Sequence, residues 1–112
     1  MILLVDDDVC YLRVIPHMLK THDIESKSIN QVAEAKHWLT NSEKCQTVIV
    51  NIHMRDGQGL EFLRWLEDNY AHLKIIILDN PNRDNYSALT IDHNYDKLIV
   101  PFNGEDLLSV IC

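Results

Sequence analysis

The chain has 112 residues, with 17 acidic against 10 basic side chains and a formal net charge of -7. That length holds one hydrophobic core, and the acidic balance repels polyanions, which argues against direct contact with nucleic acid or an anionic membrane and for a protein partner. No apolar run approaches the roughly 20 residues that span a bilayer, and Cys10, Cys45 and Cys112 show no metal-ligand spacing, so they read as buried thiols of a cytoplasmic protein.

Met1-Ile2-Leu3-Leu4-Val5 is a short apolar strand cut off by Asp6-Asp7-Asp8, which does not read as a signal peptide. An aspartate before Val9 is a fair N-cap for a helix over 9–21, in which Pro16 predicts a kink or an early stop. Residues 24–29 alternate weakly and suit an edge strand. Asn30 is then expected to cap a helix over 31–40, whose stripe is Val32, Ala35, Trp38 and Leu39. Both Trp38 and Trp65 read as packing residues.

Thr47-Val48-Ile49-Val50 is the central feature, an apolar β-branched run of the kind buried on both faces of a sheet, turning polar at Asn51. A loop with Arg55, Asp56, Gly57, Gln58 and Gly59 follows, and Leu60, Leu63 and Leu66 then recur at helical spacing, with Phe62 and Trp65 beside them. That helix frays near residues 68–70. Residues 73–78 form a second central strand ending at Asp79, and Asn80-Pro81-Asn82 is turn chemistry. A short helix over 84–91, a strand over 97–100 stopped by Pro101, and a last helix capped by Asn103 and holding Leu107, Leu108 and Ile111 complete the pattern. The apolar periodicity is still running at Val110-Ile111-Cys112, so the last helix reads as cut short, with an output domain expected beyond it.

Five strands alternating with five helices predict an α/β domain with a doubly wound, five-stranded parallel sheet and helices on both faces. Asp6-Asp7-Asp8, Asn51, Asp79 and Val100 then meet at the carboxyl ends of the strands, where ligands of open parallel sheets bind. A polar residue at a strand end is ordinarily a loop cap. Adjacent carboxylates such as Asp6 and Asp7 are costly without a counterion, which points to a hard divalent cation, magnesium above all.

These blocks resemble the receiver domain of two-component response regulators. The likeness rests on the opening ILLVDDD, on VIVNIHMRDGQGLEFL, on IIIL, and on LIVPF, and it spans the chain. It implies a flavodoxin-like (βα)5 fold, with Asp6 and Asp7 matching the acidic pair that holds magnesium for phosphoryl transfer. Asn51 stands at the position of the phospho-accepting aspartate, Asp79 at the switch threonine or serine, Lys97 at the switch aromatic, and Val100 at the lysine that contacts the phosphoryl group. Arg55 and Asp56 replace a proline and a glycine of the following loop, Gly59 matches, and Pro101 implies a cis peptide.

An amide oxygen is a poor nucleophile, so Asn51 cannot form the acyl phosphate, Val100 brings no positive charge, and Asp79 brings a negative one where a hydroxyl should donate. The substitutions imply a degenerate pseudo-receiver, a non-enzymatic module acting in signal transduction independently of phosphorylation. No cofactor is required on this reading. The alternative is a regulatory domain whose Asp6, Asp7 and Asn51 oxygens hold a divalent cation; a third, weaker possibility makes His53, Asp56 or Asp79 a substitute acceptor, His53 otherwise being a solvated loop side chain. The resemblance also implies a surface for a protein partner or self-association, built from the fourth helix, fifth strand and fifth helix, here Tyr86, Leu89, Ile91, Tyr95, Lys97 and Leu98.

Overall fold

A computed structural model describes residues 1–79 and 95–111. Five parallel strands, β1 (Ile2–Val5), β2 (Ser26–Ile29), β3 (Thr47–Asn51), β4 (Lys74–Asp79) and β5 (Asp96–Ile99), lie in the order β2-β1-β3-β4-β5. That is the order of the flavodoxin-like doubly wound class. The described helices are α1 (Val9–Lys20), α2 (Val32–Thr40), α3 (Gly59–Asn69) and α4 (Gly104–Ile111). The helix expected over 84–91, and with it Tyr86, Leu89 and Ile91, lies outside the described residues, as does Cys112.

The period of two along each strand divides the core into two layers. Leu3, Val5, Val48, Val50, Ile75 and Ile77 face α2 and α3, packing against Val32, Ala35, Leu39, Phe62, Leu63 and Leu66. Ile2, Leu4, Ile49, Ile76, Leu78 and Leu98 face the other way, onto Ile15 and Leu19 of α1 and Leu107 of α4. Burial on both faces is why β1, β3 and β4 read as continuous apolar runs. By contrast, β2 is an edge strand and exposes Lys27 and Ser28.

Local signals mostly act as expected. Asp8 caps α1, its side chain accepting from the Cys10 N–H at 2.8 Å. Asn103 and Asp106 form a reciprocal cap at the start of α4, with Asp106 N–H donating to Asn103 Oδ1 at 2.9 Å and Asn103 N–H to Asp106 Oδ2 at 3.1 Å. Val100-Pro101 is cis.

Four expectations are corrected. The first helix does not stop at Pro16 but continues to Lys20, because Ile15 and Leu19 on either side of the proline are both buried in the lower core layer. Asn30 is not the cap of α2; Gln31 holds that place, with no side-chain hydrogen bond. Cys10 is exposed rather than buried, since it lies about two and a half turns from Leu19, on the opposite side of α1. Leu98 belongs to the core at 2% exposure, whereas its neighbour Ile99, on the other face of the edge strand, is 55% exposed.

Candidate functional site

The strand order reverses between β1 and β3, and the crevice at such a switch point lies beyond the strands' carboxyl ends. Val5 pairs with Val50, so the residues that follow them, Asp6 and Asn51, flank this crevice. On the far side of β3, Asn51 pairs with Leu78, which leaves Asp79 one step further out at the end of β4. Val100, buried, follows β5 and donates its N–H to the Asp79 carbonyl at 3.0 Å. The structure thus brings together Asp6, Asp7, Asn51, Asp79 and Val100; Lys97 sits half-buried within β5, opposite Ile77.

Asn51 is bonded at both ends of its amide. Its Oδ1 accepts the His53 N–H at 2.8 Å, and its Nδ2 donates to Asp6 Oδ1, also at 2.8 Å, in a buried contact. A backbone N–H can only donate, so the oxygen must face His53 and the NH2 must face the carboxylate. One of the two lone pairs of Asn51 Oδ1 is thus taken by the His53 N–H, and it is Nδ2 that faces Asp6.

The carboxylates are held by donors rather than by cationic side chains. Asp6, fully buried, also accepts the Asp8 N–H at 3.0 Å, and Asp7 Oδ2 accepts the Arg55 N–H at 2.7 Å. Two bonds, Asn51 to Asp6 and Arg55 to Asp7, thereby stitch the loop after β3 to the loop after β1. Burial pushes the Asp6 carboxyl above its ordinary range; the Asn51 and Asp8 hydrogen bonds oppose this, while the negative charges of Asp7 and Asp8 add to it.

His53 is the functional residue that sequence reasoning misplaced. It is buried, not solvated: its Nε2 lies 3.0 Å from Asp79 Oδ1, with side-chain exposures of only 2% and 10% for the two residues. The Asn51 Oδ1 bond to the His53 N–H is an Asx-type turn that directs the chain so that the ring reaches β4's end. The legible signal was a histidine two residues past a strand whose neighbour ends in an aspartate. This pairing also commits two of the three substitute acceptors to each other, while Asp56 Oδ1 accepts the Gln58 N–H in the exposed loop.

Gly59 sets the depth of the crevice floor. A Cβ there would lie 2.6 Å from the Asn51 carbonyl oxygen and 2.8 Å from Ile52 Cα, so only glycine lets the first turn of α3 press on the end of β3.

Of the expected surface residues that are described, Tyr95 is half-buried against the core layer of α2 and α3, and its hydroxyl donates to Glu67 of α3. Among the described residues no helix is long and apolar enough to cross a membrane.

A parallel sheet in the order β2-β1-β3-β4-β5, with helices packed on both faces and carboxylates at its switch point, places the chain in the flavodoxin-like doubly wound α/β class. The pattern described as "Response regulator receiver domain" matches residues 2–111, and the chain belongs to that family of two-component signalling domains. A comparison with curated protein sequences gives no match. Among solved structures, an uncharacterized protein from Neptuniibacter caesariensis superposes with a TM-score of 0.88 at 19% identity, over 98% of this chain and 82% of the other. A response regulator receiver protein from Pseudomonas putida gives 0.86 at 24% identity, over 98% and 93%. For NtrX from Brucella abortus the score is 0.84 at 20% identity, and the match covers 98% of this chain but 24% of that longer one. At these identities the structural likeness concerns the fold.

Proposed function

We propose that this receiver domain signals without aspartyl phosphorylation and serves as a protein-docking module. The observation that carries the reading is the state of Asn51. It stands at the end of β3 with both amide atoms engaged, Nδ2 on Asp6 and Oδ1 on the His53 N–H, so the position presents an amide in place of a carboxylate nucleophile. The surroundings support it. Asp79, bonded to His53, places a carboxylate where incoming phosphoryl oxygens would need a donor, and Val100 supplies an apolar side chain in place of a cation.

On this reading the domain is non-enzymatic and acts in the cytoplasm on a protein partner or on a second copy. The expected contact region includes β5 and α4, where Ile99 is an exposed apolar side chain. The test is to incubate the protein with acetyl phosphate and magnesium and weigh it intact. Unchanged mass is expected; an added phosphoryl group on any residue overturns the reading.

A further inference from the structure

We infer that the chain pairs with a second copy of itself through the outer sides of α1 and α4, about a two-fold axis running along the helices, so that α1 of each copy lies on α4 of the other. This goes beyond the docking role by naming an occupant and a face, and it does not rest on the absence of phosphorylation.

The two helices are neighbours on one side of the sheet. Ile15 and Leu19 of α1 and Leu107 of α4 enter the same core layer, and Tyr11 of α1 stacks on Phe102, just ahead of α4, with ring centroids 5.9 Å apart. They also run the same way. The chain leaving α1 returns to the start of β1, where the Glu25 carbonyl accepts the Ile2 N–H, and α4 ends over the start of β4, where Lys74 Nζ donates to the Ile111 carbonyl at 3.3 Å.

Their outer sides carry opposite charge. Between its cap Asp8 and Asp23, α1 exposes Arg13, His17 and Lys20 and holds no acidic residue, whereas α4 has Glu105 and Asp106 in its first turn and no basic residue at all. The other described helices, α2 and α3, mix the two signs. Among the described residues the ion pairs are Lys36–Glu61, His53–Asp79 and Lys74–Asp96, so neither helix neutralises its charge within the chain. Asp106 is engaged in the cap with Asn103, which leaves Glu105 as the first-turn acid available to another molecule. Apolar surface collects at the same place: of the three large apolar side chains exposed among the described residues, Val9 at 69% and Val14 at 43% both lie on α1.

A two-fold contact is isologous, so one surface must offer both halves of the match. An axis along the helices does this. It sets the basic, apolar side of α1 on the acidic side of α4, with the first turns at the same end. Helical side chains lean toward the N-terminus, so Arg13 reaches back to the level of Glu105 of the second copy, and Val14 comes opposite the half-buried Leu108. An axis across the helices would instead lay α1 on α1 and α4 on α4, stacking like charges, which charge complementarity disfavours.

The experiment is sedimentation velocity on the intact chain from micromolar to millimolar concentration. A concentration-dependent dimer is expected. Arg13→Glu should weaken it about tenfold or more, because the contact occurs twice in the dimer, Glu105→Arg should do the same, and the combined variant should return to within about threefold of the parent. Ile99→Ser should leave this dimer unchanged. Amide spectra of the dilute variants check that these exposed substitutions keep the fold. A chain that stays monomeric at millimolar concentration, a dimer indifferent to Arg13→Glu, or a combined variant no tighter than the singles overturns the inference. A dimer broken by Ile99→Ser but not by Arg13→Glu overturns it too and moves the self-contact to β5. No arm of the test involves phosphate, so the proposal drawn from Asn51 stands or falls separately.

Discussion

His53 Nε2 and Asp79 Oδ1, 3.0 Å apart and both buried, tie the loop after β3 to the end of β4. The last described residue of β4 is thereby anchored by a side chain of the chain itself, with no covalent modification needed to draw the two together.

Removing either partner alone should be costly, since it strands a buried polar group. His53→Leu or Asp79→Leu alone is expected to lower the unfolding free energy by about 1–3 kcal/mol, and the double variant with both substitutions to lose less than the sum of the singles. Urea unfolding of the four proteins gives the cycle directly; additive losses would show that the pair is not coupled.

Asp6 makes stability depend on pH with a definite sign. Its folded pKa lies above the ordinary 3.8, chiefly through burial, so between 3.8 and the folded value the native state holds more protons than the unfolded chain. Stability then falls as pH rises through that window. Asp6→Asn should flatten this slope and raise the thermal midpoint at neutral pH in the presence of a chelator, the difference from the parent disappearing in acid below 3.8. Thermal melts across a pH series read it; a variant less stable than the parent at neutral pH would contradict the cost assigned to the buried charge.

Gly59→Ala forces a methyl against the Asn51 carbonyl oxygen at 2.6 Å. A loss of about 1–3 kcal/mol is expected from the overpacking, together with changed amide shifts at residues 51–53. Gly57→Ala, strained through a φ of 74° with nothing within 4 Å of the added carbon, should leave residues 51–53 unmoved.

On β5 two adjacent apolar residues should separate cleanly. Leu98→Ala opens a cavity over α1 and α4 and is expected to cost about 2–5 kcal/mol, whereas Ile99→Ser, on a 55% exposed side chain, should stay within about 0.5 kcal/mol of the parent. If β5 belongs to the docking face, Ile99→Ser weakens self-association or partner capture without touching the melt.

The sheet was legible in the sequence because β1, β3 and β4 are buried on both faces, and continuous apolar runs ending in Asp6, Asn51 and Asp79 have few other readings. What was illegible has one common cause, a partner distant in sequence. His53 reads as a loop residue until folding brings Asp79, 26 positions away, within hydrogen-bond distance. Leu98 and Ile99 are both apolar, so only the packing of α1 and α4 decides which faces the core. Pro16 likewise stays in a helix because tertiary burial of Ile15 and Leu19 outweighs the local penalty. Asn51 was correctly placed at the crevice, but the direction of its amide was set by the His53 N–H and could not be read from residue types.

The most direct measurement is an amide NMR spectrum of the magnesium-loaded protein before and after beryllofluoride, which mimics an aspartyl phosphate. With Asn51 closed between Asp6 and His53, no peak is expected to move beyond the magnesium spectrum. Saturable shifts spreading from Asn51, Asp79 or Val100 would mean that a carboxylate in the crevice still accepts the phosphoryl analogue, and would contradict a receiver that works without phosphorylation.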